Sequence, residues 1–330
     1  MLEAVILKAA AGGGLEQLFV ANTVAGVVLG GIFTLSAIGI VLVYRVTGVL
    51  NFAQGAMGMF STFVGWKIIH DLHPLAPNLG VAFKNPASIA VGVAGALVFS
   101  VLLGLLLQYG VFYWLRGRPP LVKAVITVGV LLALQSVASI VFGSTQYHQA
   151  IIFFDPTRCP VNNSNCFTVP IGTFAIGYDQ ILVIVVSLVL AGGLALFLRY
   201  ARIGVAMRAA SEDPVAASLW GLPVGTIGAL AWVVGSLVAA IAGIMLISVG
   251  VTFDTISLTI IVVDALAVAM IAGLVSLPLT VIGGFGVGLL ETYPKMWIGS
   301  PGLPHFIAFL VILGALLLRS EHSLLRSKNG

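Results

Sequence analysis

A single carboxylic acid, Asp264, stands within a long apolar stretch of the chain, IIVVDALAVAM. A charged side chain at the centre of a membrane helix costs roughly 2.5–3.5 kcal/mol on insertion scales. An acid in this position therefore faces other protein groups or water, and it is a candidate for handling a solute or a proton. A structural hydrogen bond, made by the neutral acid, is the alternative that the stretch leaves open.

Two amides, Asn51 and Gln54, lie at the start of another apolar stretch, NFAQGAMGMF. They are three residues apart, so a helix places them on one face. Their polar edge serves either hydrogen bonding between helices, worth about 0.6–2 kcal/mol, or the lining of a translocation pathway. The residues alone favour neither use, and both amides are pathway candidates.

No pattern in the sequence predicts a catalytic residue or a metal site. The motif G-x-x-x-x-G-K-[ST] is missing, so the chain is not expected to hydrolyse ATP through a phosphate-binding loop of its own. The run GGFGVG at 283–288 does not fit G-x-G-x-x-G, and close packing of helices through small residues explains it better. The five histidines lack metal-ligand spacing, no Ser/His/Asp or Cys/His set is recognisable, and no basic run indicates nucleic acid.

The composition identifies the elements that must position these residues. Of 330 residues, 60% are hydrophobic and 8% are charged, whereas soluble domains are roughly 45–50% apolar and about 25% charged. We therefore predict an all-α, polytopic membrane protein with about 8–10 helices in one transmembrane domain over residues 1–330. Nine spans can be delimited, at about 20–44, 50–69, 89–115, 122–142, 180–199, 226–249, 258–276, 279–293 and 305–319.

The basic residues predict the orientation of these spans. Alternating through the nine spans places ten of the fifteen Lys and Arg residues on the side that carries Arg199. Because basic residues concentrate on the cytoplasmic side, we expect that side inside the cell, with the N-terminus outside and the C-terminus inside. The ten are Arg45, Arg116, Arg118, Lys123, Arg199, Arg202, Arg208, Arg319, Arg326 and Lys328.

The loop at 143–179 is then the largest extracytoplasmic segment. It contains the only two cysteines of the chain, Cys159 and Cys166. An even pair in a non-cytosolic loop predicts a disulfide that closes a small surface loop. Two free thiols are the alternative.

A charged segment, RYARIGVAMRAASEDPVAASLWGL, follows the fifth span and forms most of a cytoplasmic stretch at 199–224. Placing two of its arginines and its two acids in lipid would cost about 12 kcal/mol on insertion scales, so it must lie outside the bilayer. Ser211 is the predicted N-cap of a helix, with Glu212 and Asp213 in the first turn, where acids suit the helix dipole. Gly221 is the predicted C-cap, which delimits a short helix of about nine residues.

The segment RIGVAMRAASEDPVAASLWGL resembles the cytoplasmic coupling loop of ABC-importer permeases of the branched-chain amino acid type. Three further stretches resemble the same family and occur in its order: GGIFTLSAIGIVLVYRVTGVLNFAQG, IGYDQILVIVVSLVLAGGLALFLRYARIG and MIAGLVSLPLTVIGGFGVGLLE. The resemblance implies a type II ABC importer-like helical fold. It also implies a second, homologous permease or a copy of this chain, two cytoplasmic ATPase subunits that bind ATP and Mg²⁺, and an extracytoplasmic substrate-binding protein.

Particular residues match the motifs of this family, and others depart from them. Gln54 stands where histidine is usual, Asp264 stands about where the family often has lysine, and AGLVSLP departs from a more glycine-rich version. These departures affect the prediction of the substrate more than the prediction of the fold. The N-F-A-x-G stretch is matched by Asn51, Phe52, Ala53 and Gly55, and the predicted ATPase-coupling set is Arg202, Gly204, Arg208, Ala209, Glu212, Asp213 and Pro214.

These observations together predict the permease subunit of an ATP-driven importer in a bacterial plasma membrane, for branched-chain or other hydrophobic amino acids. We expect no cofactor in this chain, no nucleic-acid partner, and membrane lipid around it. A urea or short-chain amide permease is the alternative within this class. A secondary transporter or channel that uses Asp264 as a proton site is the alternative from another class.

Overall fold

Helices dominate the computed structural model, which describes residues 15–75, 86–115, 117–143, 153, 168–171, 174–249, 254–297 and 302–328. All the α-helices in these ranges except α6 and α7 correspond to predicted spans, so the polytopic helical class is confirmed. In chain order they are α1 (Leu15–Thr47), α2 (Gln54–Leu75), α3 (Pro86–Leu107), α4 (Pro120–Phe142), α5 (Tyr178–Tyr200), α6 (Arg202–Glu212), α7 (Pro214–Leu219), α8 (Val224–Ser248), α9 (Ser257–Ile271), α10 (Leu277–Trp297) and α11 (Leu303–Lys328).

Two smaller elements complete the described chain. A π-helical segment, Gln108–Phe112, continues α3. The predicted extracytoplasmic loop contains an antiparallel hairpin of β1 (Thr168–Ile171) and β2 (Phe174–Gly177), with Val169 opposite Ile176. The predicted disulfide between Cys159 and Cys166 lies outside the described residues.

Within the described residues, five helices are long and apolar enough to cross a membrane by length and composition. The corresponding stretches are Phe19–Thr47, Ala87–Phe112, Pro120–Phe142, Tyr178–Tyr200 and Val224–Ser248. Two shorter apolar helical stretches, Thr259–Ile271 and Leu303–Leu317, lie in the C-terminal third. The spans are therefore unequal in length, and the C-terminal ones differ most from a simple crossing helix.

The seventh span is shorter than predicted. We expected it to run to about residue 276, but α9 ends at Ile271 because Gly273 and Leu274 adopt left-handed backbone angles, with φ of +68° and +61°. Fifteen residues of helix extend roughly 22 Å, less than the ~30 Å of a hydrocarbon core. Leu274 is strained because a non-glycine side chain disfavours positive φ, and it lies in AGLVSLP, the stretch that departs from the glycine-rich pattern.

Helix α1 lies at the centre of the packing. Its residues 30–43 are all buried, and it contacts α5, α8, α9 and α10. The approach to α10 is especially close: a Cβ atom added at Gly30 would lie 2.7 Å from the Cα of Phe285 and 2.8 Å from the carbonyl oxygen of Gly284. The run at 283–288 is therefore a helix-packing surface, as its sequence indicated.

Substitution of Gly284 by valine is expected to destabilise the fold by about 1–3 kcal/mol through overpacking. A Cβ atom here would lie 3.0 Å from both the Gly30 carbonyl oxygen and the Thr34 Cα, so α1 and α10 must separate. Thermal unfolding of the purified protein in detergent measures the effect. Gly286→Val is the matched control on the same helix, because its added Cβ meets nothing within 4 Å. Equal melting temperatures for the two variants would contradict the prediction.

Candidate translocation and coupling sites

The turn that leads into α2 brings the two predicted amides together. The Asn51 side-chain nitrogen donates to the Gln54 side-chain oxygen at 2.9 Å, and both residues are buried. The Asn51 side-chain oxygen accepts a hydrogen bond from the Ala53 backbone N–H at 3.0 Å, a local bond that holds the turn. Asn51 therefore shapes the start of α2, and Gln54 is its first residue.

A residue that the sequence did not single out, Thr127 of α4, secures the same turn from the other side. Its hydroxyl accepts from the Phe52 backbone N–H at 3.2 Å. The one hydroxyl proton is shared between the Leu50 carbonyl oxygen at 3.0 Å and the Ala124 carbonyl oxygen of its own helix at 2.7 Å. Thr127 is completely buried. A lone threonine in an apolar helix carries little signal in the sequence, because many such residues bond only to their own helix.

Gln54 joins three helices. Its side-chain nitrogen donates to the carbonyl oxygen of Gly235 on α8 at 2.9 Å. The same amide nitrogen occupies the space that a Cβ atom at Gly39 of α1 would need. The adjoining cavity, between Gln54, Gly58 and Ala239, measures about 10 Å³, which is space for about one water molecule. In this conformation the local bonds of Asn51 and the bond of Gln54 to α8 account for the burial of both amides.

Gln54→Ala is expected to lower the free energy of unfolding by about 1–3 kcal/mol, because the Asn51 amide is left buried without its partner. Thermal unfolding in detergent measures the loss. Asn22→Ala, on the outer part of α1, provides a comparison in which an amide is removed from a less buried position. Reduced uptake by Gln54→Ala with an unchanged melting temperature would instead indicate that this amide contacts the solute.

Asp264 belongs to a cluster of ionisable side chains from three helices. Its Oδ1 atom lies 3.3 Å from Nδ1 of His305 on α11, and Glu291 of α10 lies close to it. Both acids are buried, whereas 46% of the His305 side chain is exposed. The cluster therefore joins two buried acids and a partly exposed imidazole where three helices meet, and these polar contacts can change as the helices move.

The sequence missed two members of this cluster. Glu291 stands near the end of an apolar run, whereas Asp264 stands inside one, and a search for every acid within or beside an apolar run would have found it. His305 lies 41 residues from Asp264, so only the packing of α11 on α9 brings them together. No group of three or more His, Cys, Asp or Glu residues within the described chain has an arrangement suited to a metal ion.

The charged segment forms two helices, and the predicted N-cap is wrong. Ser211 lies in the last turn of α6, and its hydroxyl donates to the Arg208 carbonyl oxygen at 2.7 Å. The N-cap of α7 is Asp213, whose Oδ1 accepts from the N–H groups of Val215 and Ala216 at 2.9 and 3.0 Å. The break falls at Asp213 because a residue before proline disfavours the helical conformation, and proline suits the first helical position.

Helix α6 is clamped against the end of α5. The Arg208 guanidinium donates to the Arg199 carbonyl oxygen at 3.2 Å. A Cβ atom at Gly204 would lie 2.6 Å from the Leu198 Cα, so this glycine permits the close contact. Two members of the predicted coupling set, Gly204 and Arg208, therefore position the segment. Four others are exposed: Arg202, Ala209, Glu212 and Asp213.

Helix α7 ends as predicted and presents an apolar surface. Gly221 has a φ of +79°, and the Leu222 N–H reaches back to the Ala217 carbonyl oxygen at 3.1 Å, which closes the helix. Beside this cap, Leu219 is 83% and Trp220 88% exposed. Val215, on the same helix, is 69% exposed. We call Val215, Leu219 and Trp220 the docking patch, because large apolar side chains grouped on a surface mark contact sites.

Comparison with known proteins shows a match to a protein family and to several of its members. A family described as the permease component of branched-chain amino acid transport systems matches residues 22–318. The high-affinity branched-chain amino acid transport permease LivH of Escherichia coli K12 is 28% identical over 92% of this chain and 93% of its own length. The corresponding permease BraD of Pseudomonas aeruginosa is 27% identical over 91% and 94%. A probable LivH of Methanocaldococcus jannaschii is 24% identical over 90% of each chain. No solved structure gives a significant match.

Proposed function

Since this chain belongs to the family of branched-chain amino acid transport permeases, we propose that it is the transmembrane subunit of an ATP-driven importer for branched-chain or other hydrophobic amino acids. The observation that carries the ATP-driven part is the coupling segment, α6 and α7. It is a clamped helix followed by a capped short helix whose docking patch lacks a partner within the chain's described fold. Such a surface suits a separate subunit that supplies the energy.

The contacts of α6 indicate how motion would pass into the membrane domain. Besides α5, it contacts α1 and α8, and α7 also contacts α8. A partner that pulls on α7 therefore moves the end of α5 and the neighbouring turns of α1 and α8 together. Rigid-body motion of this kind, alternately favouring two arrangements of the helices, is what alternating access requires.

The remaining parts of the assembly follow from this function. Two cytoplasmic ATPase subunits bind ATP and Mg²⁺, and an extracytoplasmic protein delivers the amino acid. A second, homologous permease or a copy of this chain completes the membrane unit. Among the five long apolar helices of the described chain, α4 and α5 are the least buried, and their exposed faces suit that contact or lipid. These faces include Leu132, Ile140, Leu188 and Val189.

The orientation belongs to the same proposal. The ends of the helices that carry Arg45, Lys123 and Arg202 face the cytoplasm of a bacterial cell, in keeping with the positive-inside rule. The N-terminus then lies outside and the C-terminus inside. The coupling segment lies on the ATPase side in this orientation.

Reconstitution tests the proposal. The chain is co-purified with the proposed ATPases and second permease, incorporated into liposomes, and supplied with the proposed binding protein. We expect leucine uptake that requires ATP and is unaffected by excess urea. Uptake of urea in place of leucine would support a urea or amide permease instead. Uptake without ATP or ATPase subunits would support a secondary transporter that uses Asp264.

A further inference from the structure

A large cavity opens between the helix ends of the proposed cytoplasmic face. Its volume is about 750 Å³, and it lies between the ends of α1, α4, α6 and α8, the π-helical segment and the turn after α9. Ligand cavities are usually about 300–1,000 Å³, so the space suits a small molecule. It is separate from the buried amides of α2 and from the Asp264 cluster, neither of which lines it.

Charges of both signs line this cavity. Arg45 and Lys123 contribute cations, and Glu212 contributes a carboxylate. The Arg45 guanidinium is half-buried and donates to the Val275 carbonyl oxygen at 3.4 Å. Neither Lys123 nor Glu212 forms an ion pair within the part of the chain that the structure describes. Two cations and one anion around one space are complementary to a zwitterion.

The deeper wall of the cavity is apolar. Phe112 and Trp232 stack there with ring centroids 4.3 Å apart, and Val46 and Val49 also line the space. Trp232 is completely buried, and Val46 and Val49 are nearly so. This wall therefore suits an apolar part of a ligand.

We propose that this cavity binds an apolar α-amino acid from the cytoplasmic side. The ligand's carboxylate meets Arg45 and Lys123, its ammonium group meets Glu212, and its side chain lies against Val46 and Val49. The assignment rests on the proposed function and orientation. Because Glu212 is the last residue of α6, an occupied site contacts the coupling segment directly. Internal amino acid therefore slows further import.

Direct binding tests the site in the purified complex of permeases and ATPases without the binding protein. L-leucine is titrated calorimetrically, and we expect Lys123→Gln and Gly228→Leu to weaken binding at least tenfold. Gly228 lines the cavity, and a Cβ atom there meets nothing closer than 3.5 Å, so a larger side chain fills the space. Lys67→Gln, an exposed lysine of α2 outside the cavity, is the matched control and should bind as the unchanged complex does.

Analogues test the zwitterion. Leucinol lacks the carboxylate and 4-methylpentanoate lacks the ammonium group, so each should bind at least tenfold more weakly than leucine. Inorganic phosphate serves as the probe for a simple anion site. Binding of phosphate but not leucine, or unchanged leucine binding in both cavity variants, would overturn the proposal.

Uptake measurements separate this proposal from the function on which it rests. Liposomes are preloaded with unlabelled leucine, and initial ATP-dependent uptake of labelled leucine is followed. We expect internal leucine to slow uptake severalfold in the unchanged complex. For Lys123→Gln, the rates with and without internal leucine should differ less. Normal import without any such effect refutes the cytoplasmic site alone. Absence of ATP-dependent leucine import refutes the proposed function.

Discussion

Replacing Leu219 and Trp220 together by glutamate is expected to prevent this chain from assembling with the proposed ATPase subunits. Both side chains are more than four-fifths exposed on α7, and buried aromatic anchors commonly contribute at least about 2 kcal/mol to an interface. A loss of that size weakens binding roughly 30-fold, and two carboxylates add the cost of burying charge. Transport should fall to background because the membrane domain is no longer coupled to ATP.

Co-purification of tagged ATPase with each variant measures this effect, followed by uptake in liposomes. Leu219→Met with Trp220→Phe is the conservative control, since it keeps the apolar surface. Ser218→Ala, also exposed on α7, controls for general disturbance of the helix. Normal recovery of the ATPase with the double glutamate variant, together with normal uptake, would show that the partner docks elsewhere.

Charge reversal at Glu212 and Asp213 examines a different part of the same segment. Asp213 holds the N-terminus of α7 through two backbone bonds, so Asp213→Lys removes the cap, at a typical cost of about 1 kcal/mol. Glu212→Lys reverses an exposed charge that also lines the cavity, but it leaves the cap of α7 in place. We therefore expect a larger loss of ATPase binding from Asp213→Lys than from Glu212→Lys, and full binding by the double variant would refute docking through α7.

Asp264→Leu is expected to reduce uptake at least tenfold while leaving the assembled complex intact. The substitution removes the acid that the His305 ring contacts at 3.3 Å and places an apolar side chain beside the buried Glu291. Loss of a buried hydrogen-bond partner costs about 1–3 kcal/mol, and 1.4 kcal/mol is already tenfold in a rate. The loss falls on transport because α9, α10 and α11 meet at this point and must repack if the helices change arrangement.

The matched variant is Asp264→Asn, which keeps the size and most hydrogen bonds but cannot ionise. Transport by the asparagine variant with loss in the leucine variant indicates a polar contact between helices. Equal loss in both indicates that the ionisable group itself is needed. Uptake and co-purification are measured on the same preparations, and unchanged transport by Asp264→Leu contradicts a role for this cluster.

Local patterns explain what could be predicted about the helices. Apolar length locates a membrane helix because each backbone group in lipid must bond within its own segment. The nine spans were therefore predictable, although Leu274 ended α9 early through a backbone conformation that leucine rarely adopts. The short helix was predictable from Pro214 and Gly221. Its cap was misplaced by two residues because Ser211 and Asp213 are both good caps, and only the break before proline decides between them.

The polar sites show the same difference between features set by neighbouring residues and features set by distant ones. The spacing of Asn51 and Gln54 predicted that the two amides lie close together, but it did not predict that they bond to each other. Contacts between distant residues could not be predicted in this way. They include the bond of Gln54 to Gly235, the Asp264 cluster, and the cavity lined by Arg45, Lys123 and Glu212.

The sequence by itself determined the membrane class, the approximate spans, the discrete coupling segment and the family resemblance, because these depend on composition and short-range order. Only the tertiary structure decided which buried polar groups meet. It places Gln54 against α8, brings Glu291 and His305 to Asp264, and leaves Leu219 and Trp220 uncovered. Hydrogen bonds and close packing act over a few ångströms in space, and their partners here lie on helices that are distant in the chain.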